Sequence, residues 1–128
     1  MEKSGRRILG MGEGKQVLFL SLFLSALTLT AFWQVSRCEF LSYDDPTYVT
    51  ENPPVLGGLT LEGVRWAFTT LHAEFWHPLT WLSHMLDVQL FGLSPRGHHG
   101  TNLFFHLLNS LLLFLIFHRM TRAAWKSF

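Results

Sequence analysis

A long uncharged apolar segment near the amino terminus constrains the fold of this chain more than any other feature. Residues 17–36 carry no charged side chain, and their length matches the about 20 helical residues that cross a bilayer core. A second segment, residues 100–117, has the same character. Charged residues make up only 15% of the chain, against about 25% in soluble proteins. The sequence therefore predicts an all-α integral membrane protein with two transmembrane helices, residues 17–36 and residues 100–117.

Basic residues are concentrated at the two ends of the chain. The region between them, residues 36–100, contains three basic and seven acidic residues. Since cationic residues favour the cytoplasmic side of a membrane, both termini are predicted to be cytoplasmic. The protein is predicted to lie in the cell (inner) membrane as a multi-pass protein. A cleaved signal peptide is the alternative for residues 17–36, but the segment is long for such a signal and no A-x-A motif follows it.

The segments outside the two spans have distinct predicted roles. Residues 1–16 are predicted to be a flexible basic amino terminus, and residues 118–128 a basic cytoplasmic end. Residues 37–99 are predicted to form an extracytoplasmic loop with two amphipathic helices, at about residues 60–71 and 79–91.

Both loop helices have recognisable ends and an apolar stripe. Thr60 is a suitable amino-terminal cap for the first helix, and Pro78 is well placed to open the second. The stripes consist of Leu61, Val64, Phe68 and Leu71 in the first helix and of Leu79, Leu82, Leu86 and Leu90 in the second. Helices of this kind either lie in the membrane interface or pack against further membrane helices.

An acidic pair, Asp44 and Asp45, follows the first predicted span by eight residues. One interpretation is a solvated turn before Pro46, without chemical function. The other is a catalytic carboxylate at the outer membrane face, since two adjacent carboxylates repel each other and this suits one of them to accept a proton. The pair could also hold a divalent metal ion together with water molecules.

Polar residues mark the second predicted span and its start. Asn102, His106 and Asn109 follow one another at spacings of four and three, which places them on one stripe of a helix. They either form hydrogen bonds to neighbouring helices or provide a polar wall for the head group of a lipid-linked substrate. His98 and His99, just before the span, either contact a phosphate or lie at the membrane interface.

No dedicated metal site is predicted. The single cysteine, Cys38, excludes an internal disulfide and a multi-cysteine zinc site. The string His72-Ala73-Glu74 matches the H-x-E of zinc deaminases, but the P-C-x-x-C of that site is missing, and no H-E-x-x-H motif occurs. No basic patch of the kind that binds nucleic acid is visible, so nucleic acid is not an expected partner.

Two longer strings resemble a known family. YDDPTYVTENP at residues 43–53 and WHPLTWLSH at residues 76–84 resemble the first outer loop of bacterial membrane proteins that carry tetratricopeptide repeats. The likeness continues in Gly97-His98-His99 and in residues 102–109, and it covers about residues 32–128. These proteins are similar to the animal transmembrane-and-tetratricopeptide O-mannosyltransferases, members of the GT-C superfamily of glycosyltransferases.

The resemblance implies transfer of a sugar from a polyprenyl-phosphate donor to a protein or glycan hydroxyl. Asp44 or Asp45 would act as the catalytic base or as a metal-linked orienter of the acceptor, and Asp44 is favoured. Apart from the polyprenyl-phosphate sugar donor and a possible divalent metal ion, the resemblance implies no cofactor. The residues that would hold the donor phosphate are Arg65, Arg96, His98, His99, Asn102 and His106.

Members of this family have more spans and a carboxy-terminal repeat domain. The chain is therefore expected to be an amino-terminal fragment, inactive alone, whose partners are the bilayer, the donor lipid and the missing spans and repeat domain. The alternative is a non-enzymatic, small two-span membrane protein that anchors or assembles with partners.

Overall fold

The computed structural model describes residues 12–121 of the chain, and every regular element in that range is helical. The five α-helices are α1 (Glu13–Ala31), α2 (Pro53–Leu56), α3 (Leu61–Thr69), α4 (Pro78–Phe91) and α5 (Pro95–Thr121), with 3₁₀ turns at Trp33–Arg37 and His72–Glu74 and a π-helical turn at Pro46–Thr50. The predicted all-α class is confirmed for these residues. The chain divides into a paired-helix unit, Met1–Trp33 with Leu103–Phe128, and a central unit, Gln34–Asn102.

In the paired-helix unit, α1 packs antiparallel to the part of α5 that begins at Leu103. His118 Nε2 lies 3.6 Å from Glu13 Oε1, near the start of α1. At the other end of α1, the ring of Phe32 contacts the ring of His106 edge-on, with 4.7 Å between centroids. Both helices are long enough and apolar enough to cross a membrane, and most of their residues are exposed rather than buried in a core. An antiparallel pair of this kind is the arrangement that a two-span hairpin requires.

The boundaries of both long helices differ from the predicted spans. α1 covers Glu13–Ala31, so it begins and ends earlier than the predicted span at residues 17–36, and the last residues of the predicted flexible amino terminus are helical. α5 covers Pro95–Thr121 and extends the predicted span at both ends. The predicted spans were delimited by the absence of charged residues, but the ends of a helix depend on its backbone hydrogen bonds and on its terminal residues. A glutamate such as Glu13 is favourable in the first turn of a helix, and a proline such as Pro95 is favoured at its start. The rest of the predicted amino terminus, and most of the predicted basic end, lie outside the described residues.

The central unit has a small core where α2, α3 and α4 meet. Val55, Ala67, Trp81 and Met85 are fully buried there. Thr60 caps α3 as predicted, since its hydroxyl accepts a hydrogen bond of 3.0 Å from the Gly63 amide. Both α3 and α4 lie within about two residues of their predicted positions.

The apolar stripes predicted on α3 and α4 do not form this core. Leu61 is 69% exposed, and Leu79 is 75% exposed. The faces that pack are a different pair, with the small Ala67 on α3 and the large Trp81 on α4. The hydropathy pattern of a sequence identifies an apolar face of a helix, but it does not indicate which face of that helix packs against a neighbouring helix of complementary shape. Leu82 packs against the core, while the other leucines of the two stripes form an outward apolar surface of the central unit.

The connection between α3 and α4 contains an unusual backbone conformation. Ala73 and Glu74 have φ angles of 58° and 65°, in the left-handed region that non-glycine residues seldom adopt. Neighbouring contacts hold the connection in place. Trp76 Nε1 donates a 3.0 Å hydrogen bond to the Phe68 carbonyl, and Ala73 packs against the core.

Candidate functional site

An aromatic stack joins the turn at Pro46–Thr50 to α4. The ring of Tyr48 stacks on Trp81, with 5.0 Å between centroids, and on His77, with 5.6 Å. His84 meets the same tyrosine edge-on at 6.3 Å. The turn after the acidic pair is thus packed against the face of α4 that carries His77 and His84.

Two helices contribute polar side chains to one cluster at this face. His84 and Asp87 are three residues apart on α4, and His98 and Thr101 are three residues apart in the first turns of α5. Residues at this spacing lie on the same side of a helix. The start of α5 lies close to the end of α4, because a Cβ atom at Gly97 would be only 2.5 Å from the Phe91 Cβ. We refer to His84, Asp87, His98 and Thr101 as the histidine–carboxylate cluster.

Asp87 is the buried acid of this cluster, with only 3% of its surface exposed. Its Oδ1 accepts a 2.6 Å hydrogen bond from the Thr101 hydroxyl. Its Oδ2 lies 3.8 Å from His98 Nδ1. A buried carboxylate is costly unless hydrogen bonds and positive charge compensate it, so these two neighbours determine whether Asp87 is tolerated.

The hydrogen bonds of His98 define its tautomer. Its Nε2 lies 3.1 Å from the Gly92 carbonyl oxygen, which can only accept, so Nε2 carries the hydrogen. Its Nδ1 is buried and has no hydrogen-bond partner within residues 12–121. In a neutral ring the Nδ1 lone pair therefore faces an oxygen of Asp87. The 3.8 Å between these two atoms is longer than a hydrogen bond.

His84 is the third ligand-type group of the cluster. Burial lowers the pKa of His84 most, and His98 lowers it further, while the carboxylates of Asp87 and Asp45 oppose the shift. The imidazole therefore favours its neutral form, in which one ring nitrogen has a free lone pair. Its Nδ1 is also buried without a hydrogen-bond partner in the described part of the chain.

The donor atoms of this cluster are close enough to act together. One atom each from His84, Asp87 and His98 lie within 4.8 Å of one another. Two imidazole nitrogens and a carboxylate oxygen form a ligand set that suits divalent transition metals.

The predicted catalytic residues differ from each other in their surroundings. Asp44 is exposed, and its carboxylate forms no hydrogen bond or ion pair within residues 12–121. Asp45 is half-buried, and its Oδ2 accepts a 2.6 Å hydrogen bond from the Leu41 amide. Asp45 also attracts the imidazole of His84 electrostatically. The acidic pair therefore has one free carboxylate and one that is fixed beside the cluster.

The predicted phosphate-binding residues are distributed over different surfaces. Arg96 is exposed, and its Nε donates a 3.3 Å hydrogen bond to the Ser36 carbonyl. Together with Arg37, it lines an open cavity of about 400 Å³ formed by residues 36–39 and 94–96. Arg65 lies on the exposed surface of α3. Arg37, which lines the same cavity, was not among the residues predicted to bind phosphate.

The histidines and the asparagine of the predicted phosphate set also separate. His98 is buried in the cluster, whereas the ring of the half-buried His99 lies 6.3 Å from that of Phe40. Asn102 is an exposed residue of the central unit. His106 belongs to the paired-helix unit, where it packs on Phe32.

Sequence reasoning did not identify Asp87 and His84 as site residues. Two signals for them exist in the sequence. Asp87 is the one charged residue of α4, which is otherwise apolar or neutral, and His84 precedes it by three residues. An isolated acid in an apolar helix indicates a buried carboxylate with a partner. The partner, His98, lies on another helix and is not indicated by any spacing.

Comparison of the chain with protein-family models, with curated proteins and with solved structures finds no match.

Proposed function

We propose that this chain is part of an integral-membrane glycosyltransferase of the GT-C type. The enzyme transfers a sugar from a polyprenyl-phosphate donor to a hydroxyl group of a protein or glycan. α1 and α5 cross the inner membrane with both chain termini in the cytoplasm, and the central unit lies on the outer side. The complete enzyme includes further spans and a tetratricopeptide-repeat domain.

The observation that carries this proposal is the contrast between Asp44 and Asp45. Asp44 presents a free carboxylate at the surface, while the carboxylate of Asp45 is held by the Leu41 amide. A catalytic base must be accessible to the hydroxyl group of the acceptor, as Asp44 is. The fixed position of the adjacent Asp45 restricts the backbone of Asp44 and so orients its carboxylate. The pair also follows α1 closely in the chain, which suits a donor whose lipid tail lies in the bilayer.

In the proposed reaction, Asp44 is the general base that accepts the proton of the acceptor hydroxyl. The acceptor oxygen forms a bond to the anomeric carbon of the sugar as the bond between that carbon and the phosphate oxygen breaks. The acceptor proton passes to the Asp44 carboxylate, and polyprenyl phosphate leaves with the bonding electrons. Asp45 acts as a positioning residue.

The donor phosphate has a candidate site beside Arg96. Arg37 and Arg96 both line the open cavity of about 400 Å³, and guanidinium groups form strong paired hydrogen bonds with phosphate oxygens. Glu39 lines the same cavity and offsets part of this charge. We propose that the two arginines bind the donor phosphate here, with His99 and Asn102 on the same part of α5 as secondary contacts.

The test is a transfer assay with a polyprenyl-phosphate sugar, in membranes that contain the complete polypeptide carrying this segment. Asp44→Asn keeps the shape of the side chain but removes the base, and the rate should fall by about 10²–10⁴-fold. Glu51→Gln is the matched control, since Glu51 is an exposed acid of the same region, and it should leave the rate almost unchanged. If Asp44→Asn retains more than about a third of the wild-type rate, the assignment of the base is wrong.

The outward leucine stripes favour a second candidate function. Leu61 and Leu79 are largely exposed on a unit that has its own core elsewhere, and exposed apolar surface of this kind marks contact with lipid or protein. A non-enzymatic protein that anchors or assembles with membrane partners would use the same surface. Absence of sugar transfer by the wild-type polypeptide would favour this candidate.

A further inference from the structure

We infer that His84, Asp87 and His98 bind one divalent transition-metal ion of the class that includes Zn²⁺. The ligands are one nitrogen from each imidazole and one oxygen of the carboxylate. This site does not depend on the glycosyl-transfer chemistry proposed above, because its three ligands are neither the proposed base nor the proposed phosphate-binding arginines.

The separations between the donor atoms support the assignment. They lie within 4.8 Å of one another, while a tetrahedral zinc ion with bonds of about 2.0–2.1 Å sets its ligands about 3.4 Å apart. Three protein ligands leave a fourth coordination position for water or another small ligand.

The groups behind the ligands support it independently. A histidine that binds a metal usually donates its other ring N–H to a carbonyl or carboxylate, and a ligating carboxylate is itself hydrogen-bonded. His98 donates its Nε2 hydrogen to the Gly92 carbonyl, which directs Nδ1 toward Asp87. Asp87 receives the Thr101 hydroxyl on the oxygen that does not face His98. Both supporting interactions are therefore present.

The charges in the neighbourhood fit a cation. Asp87 is buried beside two imidazoles that each have a buried, unpaired Nδ1 atom. Asp45 adds a second negative charge on the side of His84. A divalent ion bound here would compensate the charge of Asp87 and accept a lone pair from each imidazole.

The test uses the full chain, purified in detergent with an affinity tag that contains no histidine, and treated with a chelator that is then removed. Zn²⁺ alone is titrated by calorimetry, and Co²⁺ alone is followed by its visible absorption, which reports ligand number and geometry. We expect one equivalent of either ion to bind per chain, with a Co²⁺ spectrum of nitrogen and oxygen ligation.

Three substitutions test the proposed ligands, and a fourth tests whether a histidine outside the cluster contributes to metal binding. His84→Gln, Asp87→Asn and His98→Gln should each weaken Zn²⁺ binding by at least about tenfold, since even supporting groups have effects of about 10–100-fold. His99→Gln is the control, because His99 is adjacent to His98 in the chain but outside the cluster, and it should bind as the wild type does. Circular dichroism of each variant establishes that the helices are intact.

Two outcomes would overturn the proposal. If the wild-type chain binds no stoichiometric metal, the cluster is not a metal site. If Asp87→Asn and His98→Gln bind as tightly as His99→Gln, the metal is held by other histidines. The wild-type titration is decisive even if one of the variants fails to fold.

Discussion

The Thr101 hydroxyl is the nearest support of the one fully buried acid in the central unit. It donates a 2.6 Å hydrogen bond to Asp87 Oδ1, and the pair joins α4 to the start of α5. Asp87 is 3% exposed, so water cannot replace a lost donor easily. The cost of removing a partner from a buried polar group exceeds the net value of an average hydrogen bond, because the remaining group stays desolvated.

We predict that Thr101→Val destabilises the protein by about 1–3 kcal/mol, since it removes the hydroxyl and keeps the shape of the side chain. Thr69→Val is the matched control. The Thr69 hydroxyl bonds an exposed helix carbonyl, where water can take its place, and the change should stay within about 0.5 kcal/mol. Chemical denaturation in detergent measures both, and equal losses in the two variants would contradict the importance of the buried bond.

Single residues also show where sequence reasoning reaches its limit. Thr60 and Pro78 were identified from the sequence because a cap and a helix start depend on neighbours in the chain. The contact between Asp87 and His98 depends on how two helices meet, and no spacing specifies that. The candidate acidic pair was found from its position after an apolar segment, while the cluster beside it became evident only in three dimensions.

At the scale of helices, the junction of α4 and α5 determines the geometry of the cluster. Gly92 ends α4 with a φ of 62°, a conformation that glycine adopts without strain. Gly97 then brings the first turn of α5 against Phe91. These two glycines explain why a buried acid on one helix and a histidine on the next can approach each other.

We predict that Gly97→Ala costs about 1–3 kcal/mol of stability, since the added methyl group would overlap Phe91 and force its ring to move. Gly100→Ala, one turn further along α5, has no atom within 4 Å of the new methyl group. That control should be neutral or stabilising by up to about 1 kcal/mol, because alanine is the better helix former. Thermal unfolding followed by circular dichroism compares them. A Gly97→Ala variant as stable as Gly100→Ala would show that the junction is more adaptable than the structure indicates.

The helices also explain which parts of the fold were predictable. Positions of α3 and α4 follow from periodicity and end residues, and the structure agrees with both. The apolar stripes were predicted to face lipid or further helices, and Leu61 and Leu79 are indeed exposed, whereas the faces that pack within the unit, with Ala67 and Trp81, were not predicted. Apolar periodicity indicates that a helix has an apolar face without identifying the surface that covers it.

For the whole molecule, the distribution of charge predicts the orientation. Basic residues lie at the two ends of the chain, and the antiparallel packing of α1 with α5 is compatible with both ends on one side. A reporter enzyme that is active only outside the cytoplasm should be active when fused after Gly92 and inactive when fused after Phe128. Activity of the second fusion, with loss of the first, would reverse the predicted topology.

The left-handed turn between α3 and α4 has a consequence for the evolution of this chain. Ala73 and Glu74 adopt φ values that disfavour L-residues by about 1–2 kcal/mol each, so the turn persists because its surroundings hold it. Glycine or asparagine would adopt the same backbone with less strain. Substitutions of Ala73 and Glu74 by glycine or asparagine should therefore be tolerated readily during evolution. A homologue with these substitutions should be more stable and so should tolerate more destabilising mutations elsewhere in the central unit.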